Sequence, residues 1–325
     1  MRLAELTTIR LGGPADVHEA GSQAAVVQAL RDLPGARVLG GGSNVVVADA
    51  GVGEPVVRIT TSGWQQHGDQ FIVAAGTPWD TFVAAMVAED RTGVEALSGI
   101  PGSVGATPIQ NVGAYGQEVA ETIAGLRVLD RASGEITTWP AARAGFGYRD
   151  SIFKREREAQ VVLAVAFDLP RGASAPVRYA ELARKLGVDQ GARVPVADVR
   201  EAVLHLRRGK GMVLDPDDPD TCSVGSFFTN PVVDQVPDGA PGWPQPDGRV
   251  KTSAAWLIEH AGVHKGFALP GSGVAVSSKH TLALTNRGTG TTAEVLELAR
   301  EIRARVLARF GVVLEPEPVL WGCSL

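Results

Sequence analysis

An α+β fold is expected for this chain of 325 residues, and three observations carry the expectation. Helical and strand-like segments alternate irregularly, without the regular crossover rhythm of a doubly wound parallel sheet. The 39 glycines and 20 prolines gather at residues 34–55, 93–116, 209–248 and 262–273, which marks those stretches as loops and boundaries. At roughly 100–200 residues per domain, the length asks for about two domains or three small ones. The major boundary is placed near Gly209, where a helical segment gives way to a run rich in Asp and Pro.

The helices are read from caps and period. Thr77 is an N-cap, Pro78 the first helical residue and Asp80 an acid in the first turn; Trp79, Phe82, Val83, Met86 and Val87 then share one face until Gly93. Thr291 and Glu294 form a capping box ahead of Val295, Leu298, Ile302 and Val306, with Gly311 as the stop. Shorter helices are expected over Ala24–Leu33, Asp198–Arg208 and Ser253–Ala261. The apolar runs Val56–Ile59, Phe71–Ala75, Leu126–Leu129, Val161–Phe167, Val274–Val276 and Leu282–Leu284 read as strands.

Composition narrows the function. Apolar residues at 44% and charged residues at 21% suit a soluble globular protein. Thirty-one basic against 36 acidic side chains leave a net charge of −5, a field that repels nucleic acid and anionic membrane unless a local basic patch intervenes. Met1–Arg10 lacks the apolar core of a secretory signal, and no apolar run reaches the length of a membrane span. Cys222 and Cys323 have no neighbours at metal spacing. A cytoplasmic protein with no bound metal, no membrane insertion and no nucleic-acid partner is expected.

Two glycine-rich stretches stand out. Gly40-Gly41-Gly42-Ser43-Asn44 follows the strand-like Ala36–Leu39 and leaves backbone amides bare enough to wrap a pyrophosphate, although a tight turn fits the same residues. Strand-like Val45–Val47 comes next, so the segment is not the strand–glycine–helix unit of a Rossmann fold. The run from Ser98 to Gly116 carries glycines but almost no charge, which suits close approach to a flat, uncharged ring, although a structural glycine-rich turn fits it as well. Together they suggest a nucleotide cofactor. Arg149 lies among Phe146, Gly147 and Tyr148, where it could bind a carboxylate or simply pair with Asp150. Ser226 sits between Gly225 and Phe227-Phe228; alone it reads as a turn residue. Glu315 and Glu317 point to the same face of an expected strand over Leu314–Val319, where they could equally be exposed edge carboxylates; the prolines confine this piece to an edge or an irregular strand. Arg200, Arg207, Arg208 and Lys210 form one basic cluster, either a diphosphate site or compensation of a helix dipole. No Walker loop, G-x-S-x-G elbow or H-E-x-x-H pair occurs.

In their order and spacing, Gly40–Asn44, Ile100–Gly105, Pro108–Gly116, Phe146–Lys154, Gly225–Pro231 and Leu314–Glu317 resemble the UDP-N-acetylenolpyruvoylglucosamine reductase family of peptidoglycan precursor synthesis, over Thr8–Gly322. The resemblance implies a two-part FAD-binding region of the vanillyl-alcohol-oxidase type and a C-terminal α+β substrate domain: 1–60 joined by 312–325, then 61–209, then 210–311. It implies that NADPH reduces FAD and that a hydride then passes to the enolpyruvyl ether. It assigns charge stabilisation to Arg149, proton donation to Ser226 and a supporting acid to Glu317. FAD would be held by Gly40, Gly41, Gly42, Ser43, Asn44, Pro101, Gly102, Ser103, Gly105, Ile109, Gln110, Gly113, Tyr115 and Gly116; Ala106 stands where some relatives carry a hydroxyl, so one flavin hydrogen bond is either missing or supplied by Thr107. The UDP-sugar would meet Tyr179, in a loop matching the family's tyrosine-bearing group, with Lys210, Asn230 and His280, and Asn286 as a further position. A monomer is expected. An oxidase on the same scaffold, acting on an alcohol or sugar, and an inert nucleotide-sugar binding module are the alternatives.

Overall fold

The computed structural model describes residues 1–325. Two compact units form, one from Met1–Ala15, Gly42–Gly53 and Gly209–Leu325, the other from Asp16–Gly41 and Glu54–Arg208. The chain therefore crosses between them several times, and the range 1–60 is shared by both.

In the second unit, Ile136–Pro140, Ile123–Asp130, Gln160–Asp168, Gln70–Ala74 and Trp64–His67 pair in that order as an antiparallel sheet. Phe71, Val73, Leu126, Val128, Val165 and Phe167 alternate onto one face, where the helix Trp79–Ala88 buries Trp79, Phe82, Val83, Met86 and Val87 against them. A bulge interrupts the pairing at Leu163, between Val162 opposite Val128 and Ala164 opposite Arg127. The extra residue lets Val162 and Val165, three apart, face the same core, while Leu163 joins Leu129 and Val161 in a second one. That core is closed by a small parallel sheet, Val17–Ala20, Val56–Ile59 and Arg37–Leu39, and by the helix Gln23–Asp32, capped by the Ser22 hydroxyl.

In the first unit, Val45–Val47 pairs in parallel with Val319–Trp321. The long helix Thr292–Phe310 begins at the expected Thr291/Glu294 capping box and ends at Gly311, with φ 69°. Its buried stripe of Val295, Leu298, Ile302 and Val306 packs on Val274, Val276, Leu257, Phe227 and Phe228.

Several local expectations give way to tertiary contacts. Thr77 does not cap its helix: Pro78 holds that position, and the Thr77 hydroxyl donates to the Gly63 carbonyl and accepts its amide at 3.1 Å. The segment Leu314–Pro318, by contrast, is irregular as its prolines lead one to expect, since Pro316 and Pro318 lack ladder donors; pairing begins at Val319. The strand placed at Leu282–Leu284 is Leu284–Asn286, and the helix placed at Asp198 begins at Val196.

Candidate active site

Within the second unit, the two glycine loops meet backbone to backbone. A methyl group on Gly41 would lie 2.6 Å from the Gly102 Cα, and one on Gly40 would lie 2.5 Å from the Ser103 hydroxyl. Side chains are thus excluded and the amides are left bare. The loop Ile100–Gly105 is held from behind: Trp79 donates its amide to the Gly102 carbonyl at 3.0 Å and its indole N–H to the Leu97 carbonyl at 3.0 Å, while Val104 and Gly105 donate to Thr77 and Ala75. Asp80 fixes the loop's start, with Oδ1 accepting the Gly99 amide at 2.6 Å and both oxygens gripping Arg200 at 2.7 and 2.9 Å. Burial alone would raise the Asp80 carboxyl, but Arg200 and the Gly99 amide hold it below the usual carboxylate range. Arg200 is therefore paired with Asp80, and Arg207 is buried near Tyr115 and Asp80.

Beyond Pro101, the loop Pro108–Gly116 closes on Arg149. The Arg149 guanidinium donates to the Gly113 carbonyl at 2.8 Å and to the Asn111 carbonyl at 3.5 Å, while its own carbonyl accepts the Lys154 ammonium at 2.7 Å. Gly113 is bare where the guanidinium passes: an added Cβ would come 3.3 Å from its Nη1. Ser151 donates to the Ile109 carbonyl at 2.6 Å, and buried Asn111 donates to Glu118 and to the Gly147 carbonyl. Asp150 pairs with Arg155, not with Arg149. Arg149, Asn111 and Tyr115 all have left-handed backbone, with φ of 52°, 44° and 50°. Each such conformation costs about 1–3 kcal/mol, and strain of this kind gathers where function holds the chain in place. Tyr115 meets Tyr179 edge to face, with centroids 5.6 Å apart at 88°. Burial pushes the Tyr115 hydroxyl up to about 12, against the pull of Arg207.

The remaining expected residues lie in the first unit. Gly42 has φ 62°, and a Cβ there would strike the Leu6 carbonyl at 1.8 Å. Next to Ser43, Asn44 is clasped to the chain's last strand: its side chain donates to the Glu317 carbonyl at 3.4 Å, and Val319 donates to the Asn44 carbonyl at 3.0 Å. The segment Ser226–Thr229 runs between two others. Ser226 bridges Ala283 and Phe228 bridges Pro316; Phe227 donates to Leu282 at 2.7 Å and accepts from Glu317 at 2.8 Å. The segments that carry Ser226 and Glu317, distant in sequence, are thus joined through the backbone of Phe227.

The side-chain carbonyl of Asn230 accepts the Ala254 amide at 3.0 Å. His280 sits in a tight turn, its amide donating to the Ser277 hydroxyl at 3.2 Å and its carbonyl accepting from Ala283. Lys210 opens the loop that buried Asp220 pins down by accepting from the Ser278 amide and hydroxyl and pairing with Arg287 at 3.0 Å. Two secondary positions are engaged inside the protein. Asn286 is buried and fully used inside the protein, donating to Ile9 and Arg10 and accepting from Gly288 and Gly290. Thr107 is buried with its hydroxyl on the Val104 carbonyl at 2.8 Å. Asp80 and Arg200 were not recognised as a loop clasp; Asp80 carried only the signal of an acid in a first helical turn.

Loops into which no Cβ fits, bare in amides and nearly free of charge, suit a flavin nucleotide. Residues 14–139 match the FAD binding domain family. The chain is a flavin-dependent oxidoreductase with an α+β fold of the vanillyl-alcohol-oxidase type. Residues 217–321 match the UDP-N-acetylenolpyruvoylglucosamine reductase C-terminal domain family. The reductase of that name from Nocardia farcinica is 53% identical over 344 residues, covering 100% of this chain and 90% of the relative. That from Thermobifida fusca is 52% identical over 350 residues, covering 99% and 97%. The crystal structure of the reductase from Thermus caldophilus superposes with a TM-score of 0.71 at 26% identity, covering 99% of this chain and 97% of that one. The chain belongs to the UDP-N-acetylenolpyruvoylglucosamine reductase family, which favours the reductase over the oxidase.

Proposed function

We propose that Arg149, Ser226 and Glu317 are the catalytic residues of this reductase. The enzyme reduces UDP-N-acetylenolpyruvoylglucosamine to UDP-N-acetylmuramate in peptidoglycan precursor synthesis, using FAD and NADPH. When bound, FAD supplies the two-electron relay between the nicotinamide and the enol ether. The residues that would hold it are Gly40–Asn44, Pro101, Gly102, Ser103, Gly105, Ile109, Gln110, Gly113, Tyr115 and Gly116. No helix is long and apolar enough to cross a membrane, and we place the enzyme in the cytoplasm, acting as a monomer. Its FAD-binding parts are 1–60 with 312–325 and 61–209, and its substrate domain is 210–311.

Hydride addition at the terminal carbon leaves a carbanion beside a carboxylate, which is tolerable only as an enediolate whose charge is held by donors. Arg149 fits that role. Its guanidinium is oriented by the Gly113 carbonyl and its backbone by Lys154, so little reorganisation is needed as charge develops. Ser226 then supplies the proton. A serine is a weak acid in water and serves only when held in place and backed by a neighbouring group, and the observation that supports this reading is the backbone bond from the Glu317 amide to the Phe227 carbonyl at 2.8 Å, which joins the chain segment of Glu317 to that of Ser226. An ionised Glu317 would oppose the enediolate, so it acts protonated or neutralised by a cation. Tyr179, Lys210, Asn230 and His280 bind the UDP-sugar. The test is single-turnover kinetics of Ser226→Ala, in which flavin reduction by NADPH survives and reoxidation by the enolpyruvyl sugar is lost; survival of both half-reactions removes Ser226 from the mechanism.

A further inference from the structure

The carboxylate of Glu95 takes no part in that chemistry, yet it is 1% exposed. It lies in the single turn Glu95–Leu97 that leads into the glycine-rich run. Its Oε2 accepts the Gly93 amide at 2.6 Å, and its Oε1 accepts the Ala175 amide at 2.6 Å and the Thr92 hydroxyl at 3.4 Å. On its backbone, the Glu95 carbonyl accepts the Ser98 hydroxyl at 2.7 Å, and the next amide, Ala96, donates to Gln117 Oε1 at 2.9 Å. One buried side chain therefore ties the start of the loop expected to face the flavin to the segment that carries Tyr179.

Burying a carboxylate is costly unless donors satisfy it, and its two oxygens face two separate amides, which calls for a group that only accepts. A glutamine would turn an N–H toward one of those amides. The tether transmits its position because the chain beyond it is stiff. Pro176 restricts the backbone of Ala175. Val177 is buried with Ala96, Leu182 and Val199 and exchanges backbone bonds of 2.9 Å with Ala192 and Gly191. Two residues on, Tyr179 meets Tyr115 edge to face.

We propose that Glu95 is the positioning residue of the tyrosine loop: its carboxylate fixes Ala175 relative to the flavin-facing loop, so that Tyr179 is held ready for the UDP-sugar. This rests on the substrate role of Tyr179 given above. The test titrates the holoenzyme with the enolpyruvyl UDP-sugar, following the flavin absorbance, for Glu95→Gln, Tyr179→Ala and the double variant. Glu95→Gln is expected to raise the dissociation constant about tenfold, the size of one charge-assisted hydrogen bond, with kcat at saturation and FAD content retained. The double variant should bind no more weakly than Tyr179→Ala, because both changes break one coupling. A wild-type dissociation constant in Glu95→Gln, or fully additive losses, overturns the proposal. If Tyr179→Ala binds normally, the reading of Tyr179 fails instead, and the tether is then judged by trypsin cleavage after exposed Arg178: faster cutting in Glu95→Gln supports it and an unchanged rate overturns it. Should Glu95→Gln fold poorly, Glu95→Asp keeps the charge but draws its oxygens back from Ala175, and the same two outcomes decide.

Discussion

The amide of Glu317 donates to the carbonyl of Phe227 at 2.8 Å, one residue from Ser226. This bond belongs to a run of three: Ser226–Thr229 is flanked by Leu282–Ala283 on one side and Glu315–Glu317 on the other. The hydroxyl thus stands on a backbone braced from two sides and followed by the buried Phe227 and Phe228. Proton delivery to a carbanion needs such bracing, since a mobile serine would spend its time solvated.

Replacing Ser226 by alanine removes the proton and little else, because its neighbours are held through backbone atoms. Turnover of the enolpyruvyl sugar is expected to fall by about 10²–10⁴ while NADPH still bleaches the flavin at the parent rate. Rapid mixing separates the two steps, and parent turnover in the variant would exclude the assignment.

Arg149 carries both a function and a strained backbone. Arg149→Gly should lower kcat by about 10²–10³, the effect of losing one preorganised donor. Its melting temperature should stay within about 4 °C of the parent, because release of the left-handed backbone, worth about 1–2 kcal/mol, offsets the lost bond to Gly113. Arg149→Lys keeps the charge and the strain but not the planar fork, and is expected to be slow as well. A fast lysine variant, measured in the same assay, would mean that charge alone suffices.

Gly41→Ala forces the two glycine loops apart, since its methyl would lie 2.6 Å from the Gly102 Cα. The purified variant should lack the yellow colour of bound FAD. Gly35→Ala, at a position with nothing within 4 Å, is the control and should keep it. Full flavin content in Gly41→Ala would show that this contact does not shape the site.

Tyr115 gives a pH signature. Its folded value, about 12, lies above the ordinary 10.0, chiefly through burial, so the native state holds this proton more tightly than the unfolded chain does. The stability it contributes is fully present below pH 10 and is lost as pH rises through about 12. Arg207 runs the other way: burial lowers it to about 10, so its charged form costs stability below that pH and the cost is relieved above it. The stability gap between the parent and Tyr115→Phe should therefore narrow from pH 10 to 12 in denaturant titrations. By ultraviolet absorbance, the late ionisation of Tyr115 should vanish in Tyr115→Phe.

Much of the fold was legible where the signal is local. The helix Thr292–Phe310 showed itself through a capping box, an apolar stripe and a glycine stop, all short-range features. The strand Trp64–His67 did not, because all four residues are exposed and no alternation survives at a sheet edge. Ile136–Pro140 was hidden similarly, with only Trp139 buried.

What the amino-acid sequence determined alone was the set of elements with strong caps and period, the two glycine loops, and the ordered motifs that resemble the reductase family. Those are properties of neighbouring residues, and neighbours act through short-range sterics and hydrogen bonds. Only the tertiary structure decided where polar side chains find their partners: Thr77 on Gly63, Asp80 on Arg200 and Gly99, Asn286 on the turn before Gly290 and on Ile9, Glu95 on Ala175. A buried donor or acceptor must be satisfied by whatever the fold brings near it, and that partner is set by chain crossings that no local pattern records.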